Sequence, residues 1–134
     1  MSSMRIDTIL DAVEERLKAD ELFSNINIIK AYPCSAAPSR LSRETLALGL
    51  DEIKVTPASV DDINKAGEIS VFADIFVPLK TPSERAFEIL TALCSCMGDF
   101  NVLSVSAQRI AVDRDTASYV LKTVFTFRDE IEVI

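Results

Sequence analysis

The sequence predicts an α+β domain, an antiparallel-rich mixed sheet of about four to five strands with two helices packed on one face. Three observations carry that expectation. Apolar residues recur at helical spacing in two stretches, near residues 4–19 and 82–97. Apolar and polar residues alternate with period two in the segments between and after them, and the elements follow as helix, strands, helix, hairpin. With 134 residues, 49% of them hydrophobic and 26% charged, the chain is expected to fold as a single domain, 1–134, around its own core.

The first helix places Ile6, Ile9, Leu10, Val13 and Leu17 on one face and Asp7, Asp11, Glu14, Glu15 and Lys18 on the other. The four carboxylates read as a solvated face. The chain has no histidine to complete a metal or acid/base cluster, and Lys18 lies one turn beyond Glu14 as an ion-pair partner.

Next, INIIKAY (26–32) is a β-branched run that ends at Pro33, and the small, polar stretch after it reads as a long loop. In ETLALGLDEIKVTP the apolar positions Leu46, Leu48 and Leu50 give way to Ile53 and Val55, one residue out of phase. That slip predicts a bulge or bend near Asp51. Residues 57–67 look loop-like, with room for one helical turn. The third strand puts Ile69, Val71, Ala73, Ile75 and Val77 on one side and Glu68, Ser70, Phe72, Asp74 and Phe76 on the other.

The stretch Thr81-Pro82-Ser83-Glu84 reads as a capping box with proline at the first helical position. The helix behind it is expected to bury Ala86, Phe87, Leu90, Leu93, Cys94 and Met97 and to stop at Gly98. Two further strands, NVLSVSAQRIAV and ASYVLKTVFTF, are joined by the short polar link 113–116, a hairpin connection. The last one is apolar on both sides, Leu121, Phe125 and Phe127 against Val120 and Val124.

Composition narrows the function. With 14 Lys and Arg against 21 Asp and Glu, the net charge of −7 argues against specific nucleic-acid binding. No apolar run is long enough to cross a bilayer, and the first ten residues show no secretory pattern, so a cytoplasmic setting is expected. Cys34, Cys94 and Cys96 are odd in number, and Cys94 and Cys96 point to different sides of a helix, which makes neither a disulfide framework nor a metal clamp. No phosphate loop, nucleophile elbow or metal-ligand spacing appears. No enzyme activity and no cofactor are expected. Asp74, between Phe72 and Phe76, is the one acid whose surroundings point to a raised pKa, and an arginine such as Arg109 or Arg128 is its expected partner.

Two helices cover one face of a sheet, so Phe72, Phe76, Val120 and Val124 are left on the other, with Asp74 among them. Such a patch marks a partner surface unless loops 33–43 and 57–67 fold over it. Those loops lack periodic apolar residues and are expected to be mobile in an isolated subunit and ordered on assembly.

Several local patterns together resemble the tail terminator (tail completion) proteins of long-tailed bacteriophages and prophages. They are the acidic amphipathic first helix, a strand closing as FADIFVP, a helix introduced by Pro82-Ser83-Glu84, a strand reaching Val112-Asp113-Arg114-Asp115, and a last strand of the type YVLKTVFTFRDEI. The resemblance covers most of the chain, is strongest from Glu68 to Glu130, and leaves 33–67 without a clear match. It implies a structural protein that forms a homo-oligomeric ring, a hexamer, on the end of a tail tube. Such a ring halts tube growth and offers a surface to a head-side connector in the virion, after assembly in the bacterial host cytoplasm. Its partners would be the tail tube protein and the connector protein, with no membrane involved. Phe72, Asp74, Phe76, Val120 and Val124 are then the candidate oligomer interface. Another phage neck or head-tail joining protein would share these features, and a small-ligand-binding or enzymatic α+β domain would instead need a pocket around Asp74.

Overall fold

The computed structural model describes residues 4–5, 9–30, 43–56, 64–98, 100 and 102–132. In chain order the elements are β1 (Met4–Arg5), α1 (Ile9–Lys18), a 3-10 turn (Leu22–Asn25), β2 (Asn27–Lys30), β3 (Thr45–Thr56), β4 (Asn64–Pro78), α2 (Arg85–Met97), β5 (Val102–Ala107), β6 (Ala111–Asp113) and β7 (Ser118–Glu132). This is the expected α+β class, with a richer sheet.

The seven strands form one mixed sheet in the order β1-β7-β4-β3-β2, and β5 and β6 also pair with β7. Because β6 takes 118–120 of β7, β5 takes 123–127 and β1 takes 131–132, three short strands share one long edge. The sheet is therefore five positions wide. The pairs β1–β7 and β2–β3 are parallel; the rest are antiparallel.

The two 15-residue strands, β4 and β7, pair along their whole length and make the spine. Their strict alternation sends Ile69, Val71, Ala73, Ile75 and Val77 of β4 and Leu121, Phe125 and Phe127 of β7 into one buried cluster. Thr123 sits in the same buried row, and its hydroxyl donates to the Ala73 carbonyl at 2.6 Å, so its polar atom is satisfied there. On β3 the pairing slips between Leu50 and Glu52, which leaves Asp51 as the extra residue of a bulge where the sequence predicts one. The bulge has a clear use. It returns Ile53 to the face already occupied by Leu46, Leu48 and Leu50.

Both helices lie on that face, α1 over β3 and α2 over β4 and β7. Ile9, Leu10, Val13 and Leu17 of α1 are buried, as their spacing predicts. Phe23, in the 3-10 turn after α1, is also fully buried, an element that the sequence reading does not include.

Several boundaries differ from expectation. Met4 and Arg5 form β1 against the end of β7, so the segment expected to begin the first helix adds a strand instead. Asn64–Gly67, expected in a loop, belong to β4, because continued pairing with β3 and β7 satisfies their backbone groups. The strand expected over 101–112 is split into β5 and β6, and β5 carries a bulge between Val102 and Ser104. The hairpin turn itself holds, with Ala117 at φ 54° at its close. The expected loop segments 33–42 and 57–63, including Cys34, lie outside the described residues.

The largest correction concerns α2. Its buried residues are Ala86, Ile89, Leu93, Cys96 and Met97, whereas Phe87 and Cys94, both expected inside, are exposed. The apolar arc of this helix is wider than one sheet-facing stripe, so packing chooses which part goes in. Two contacts accompany the choice. The Arg85 guanidinium grips the Glu44 carboxylate with two bonds, Nε to Oε2 at 2.7 Å and Nη2 to Oε1 at 3.1 Å, and Nη1 donates to Glu88 at 2.9 Å. At the far end the Cys96 thiol donates to Asp20 Oδ2, beyond the end of α1.

The capping box does not form either. The chain enters the helix through tight turns in which the amides of Arg85, Ala86 and Phe87 donate to the carbonyls of Pro82, Ser83 and Glu84, and no side chain caps the helix start. Winding still begins at Pro82, where a missing N–H is harmless.

Candidate interaction surface

On the face away from the helices, β4 and β7 lay their outward side chains side by side in five ranks. From one end these are Phe76–Val120, Asp74–Lys122, Phe72–Val124, Ser70–Thr126 and Glu68–Arg128. All five residues expected at an interface thus lie in three consecutive ranks. The register supplies a sixth member, Lys122, which the sequence reading does not name. Its position two residues from both Val120 and Val124 was the available signal.

Charge and polarity change along the ranks. The Ser70 and Thr126 hydroxyls bond at 2.9 Å, and Arg128 Nη2 donates to Glu68 Oε1 at 3.0 Å, so that end is polar and internally paired. The opposite end is apolar. Phe76 is 7% exposed and Val120 6%, and with Ala47 they form a small second core against which Ile29 packs. This corrects the expectation that both phenylalanines stand on an open surface, because the Phe76 rank is already buried within the chain. Phe72 and Val124 remain half-buried.

The flanks explain why Phe72 stands out. Across the sheet its neighbour on β3 is Gly49, while the β5 neighbour of Val124 is Ser106. Small residues on both sides leave the Phe72–Val124 rank as a ridge without a large register neighbour on β3 or β5.

Asp74 faces Lys122 across the β4–β7 pair, and Arg128 is engaged instead with Glu68 three ranks away. An arginine partner for Asp74 is therefore not what the register provides. Burial pushes the Asp74 carboxyl above its ordinary value of 3.8; the Lys122 ammonium draws it down and the Asp51 carboxylate pushes it up. A half-buried acid beside one exposed lysine keeps a weakly screened charge in the middle of an otherwise apolar block.

No group of three or more His, Cys, Asp or Glu arranged to hold a metal occurs among the described residues, and no helix among them is long and apolar enough to cross a membrane. Cys94 and Cys96 point apart as their spacing predicts, one exposed and one buried.

No protein-family model matches the chain, and no curated protein matches it. Among solved structures it is similar to the PVC sheath/tube terminator in the extended state, part of an extracellular contractile injection system seen by cryo-electron microscopy. The identity is 11% and the TM-score 0.47 over 97% of this chain. The chain spans 58% of that neighbour's length.

Proposed function

We propose that the chain is a structural subunit of a phage-type tail, which closes into a ring, a hexamer, on the end of a tail tube, stops its growth and offers the head-side joining surface. The observation that carries the reading is the Phe72–Val124 ridge, an apolar rank left half-buried on a sheet face that carries no helix among the described residues. Support also comes from the resemblance of FADIFVP, the Pro82-Ser83-Glu84 helix entry and the last strand to tail terminator proteins. In this reading the ridge meets the next subunit or the tube, and the Asp74–Lys122 rank beside it sets register, because a charge left unpaired in an interface is costly. The formal charge of −7 suits a channel through which DNA passes without sticking. The role is structural, with no catalysis and no cofactor; the partners are further copies of the chain, a tail tube protein and a head-side connector. The protein would assemble in the host cytoplasm and end in the virion.

The test uses Phe72→Ser, since Phe76 belongs to the chain's own second core. Wild-type protein mixed with a tail tube protein from the same genome should give tubes of limited length, each ending in a ring by electron microscopy. The variant should keep its circular dichroism spectrum and leave tubes to grow uncapped. Normal capping by a folded Phe72→Ser protein would remove the ridge from the interface, and a wild type that never associates with tubes would overturn the function.

A further inference from the structure

The face bearing the ridge is polarised across its strands. In the Asp74–Lys122 and Glu68–Arg128 ranks the acid stands on β4 and the base on β7, with Phe72–Val124 and Ser70–Thr126 between them. The two charged ranks are not alike. Arg128 donates to Glu68 within the chain, whereas neither Asp74 nor Lys122 makes a side-chain hydrogen bond or a salt bridge among the described residues. Asp74 is half-buried and Lys122 exposed, beside a half-buried apolar rank, so bonding capacity is left over where a contact would exclude water.

Two sheets pack face to face about 10 Å apart with their strands nearly aligned. For two copies of this face, a two-fold axis runs either across the strands or along them. An axis across the strands, through the Phe72–Val124 rank, reverses the order of the ranks and sets Asp74 against Ser70 and Phe76 against Glu68. An axis along the strands, between β4 and β7, keeps each rank on itself and exchanges the two strands. Phe72 then meets Val124 of the second copy, Ser70 meets Thr126, and each Asp74 meets a Lys122. The flanking strands follow, with β3 crossing β5. Gly49 lies over Ser106 and Glu52 over Ser104, so in these ranks no acid is set on an acid.

We propose that the free protein pairs through this face with a second copy about the axis along the strands, burying both Phe72–Val124 ranks and closing two Asp74–Lys122 bridges between the copies. Charge selects a second copy as the occupant. Asp74 and Glu68 are balanced by Lys122 and Arg128, so these ranks are neutral in a chain of −7, and the carboxylates of α1 stay on the opposite side of the sheet. The overall charge still opposes every association of copies, the ring included, which keeps the pair weak. Five ranks by four strands span about 34 by 19 Å, on the order of 650 Å² per copy, against about 800 Å² per partner in a standard interface. The inference rests on the ridge being the contact surface of the tail reading and names its partner in the free protein. Such a pair uses one patch on both copies, whereas a ring needs head-to-tail contacts, so the pair parts when a subunit joins a ring.

Sedimentation velocity of the whole chain should show a monomer–dimer equilibrium between about 1 and 100 μM. Asp74→Lys makes both charges of the rank positive and Lys122→Asp makes both negative, so each variant by itself should dimerise at least about tenfold more weakly while keeping its circular dichroism spectrum. Mixing the two tests the symmetry. Each like-charged rank then meets one of opposite sign, and the mixture should recover a one-to-one dimer, as should the chain carrying both exchanges. Phe72→Ser should also weaken the pair. If Asp74→Lys does not fold, Lys122→Asp at its exposed position and Phe72→Ser carry the test, and undiminished dimerisation of either overturns the proposal. A wild type still monomeric at about 100 μM, or a mixture of folded variants that stays monomeric, would also overturn it. Tubes capped by a chain that never dimerises would remove the pairing and keep the tail reading; a dimer without capping would do the reverse.

Discussion

The two faces of the β4–β7 spine are built from the same alternation and end differently. On the helix side one continuous cluster runs from Ile9 on α1 through Ile75 and Leu121 to Phe127. On the other side closure stops after a single rank, Phe76–Val120 with Ala47, and the next apolar rank, Phe72–Val124, is left half-buried beyond a charged pair. Phe72 and Phe76 share a strand, a side and a residue type, four positions apart. Their difference teaches that alternation assigns a side chain to a face, while the residues flanking it across the sheet, Ala47 and Ile29 near Phe76 but Gly49 beside Phe72, bear on whether it is core.

The largest effects should separate these ranks. Phe125→Ala, within the helix-side cluster, is expected to cost about 3–5 kcal/mol in urea unfolding, because a large cavity opens in a region that cannot collapse. Phe76→Ala should cost less, about 2–3 kcal/mol, in a smaller core with more room to relax. For Phe72→Ser the expected loss is under about 1 kcal/mol. The comparison breaks if Phe72→Ser destabilises as much as Phe76→Ala, which would make both ranks the subunit's own core.

A second, intermediate effect tests what fixes α2 over the sheet. Removing the Arg85 fork by Arg85→Ala should cost about 1–2 kcal/mol, since two charge-assisted bonds to partly buried Glu44 are lost. Arg85→Lys should recover only part of the loss, because an ammonium cannot reproduce the paired geometry. Full recovery by lysine in thermal denaturation would reduce the clamp to simple charge attraction.

Asp74 sharpens the contrast by pH. Its folded pKa is raised, chiefly by burial, so between the ordinary value of 3.8 and the folded value the native state holds the proton more often than the unfolded chain does. The stabilisation from that proton is therefore complete below 3.8 and is lost as pH rises through the folded pKa. Asp74→Asn should accordingly have a higher unfolding midpoint than wild type near neutral pH, with the gap shrinking toward about pH 4. A gap that widens in acid would mean that the attraction of Lys122 outweighs burial.

The smallest effect lies at the hairpin. Ala117 holds φ 54°, a left-handed conformation in which an L side chain is crowded, so Ala117→Gly should raise stability by about 0.5–1 kcal/mol despite the freer unfolded chain. No gain in the denaturation midpoint would show that the turn relaxes without glycine.

Much of the fold was legible because its signals are local. The bulge at Asp51 follows from one phase slip between Leu50 and Ile53, and the two faces of β4 follow from the alternation that runs from Glu68 to Val77. The five candidate interface residues were legible as a group for the same reason, although the register that adds Lys122 and sets Phe76 apart from Phe72 joins strands some fifty residues apart in sequence. The capping box failed where a short motif met tertiary constraint. The chain enters α2 through tight backbone turns with no side-chain cap, while Arg85 reaches out to Glu44.

By itself the sequence determined the α+β class, the helix-facing side of each long strand and the acidic, histidine-free character of the surface, since these depend on periodicity and composition alone. Tertiary structure decided which part of an over-wide apolar arc on α2 turns inward, that Met4 and Arg5 become a strand, and that one phenylalanine of FADIFVP is core while the other is a ridge. The physical reason is common to all three. Each depends on which distant groups are left for a side chain or a backbone edge to meet, and that is settled only when the layers close.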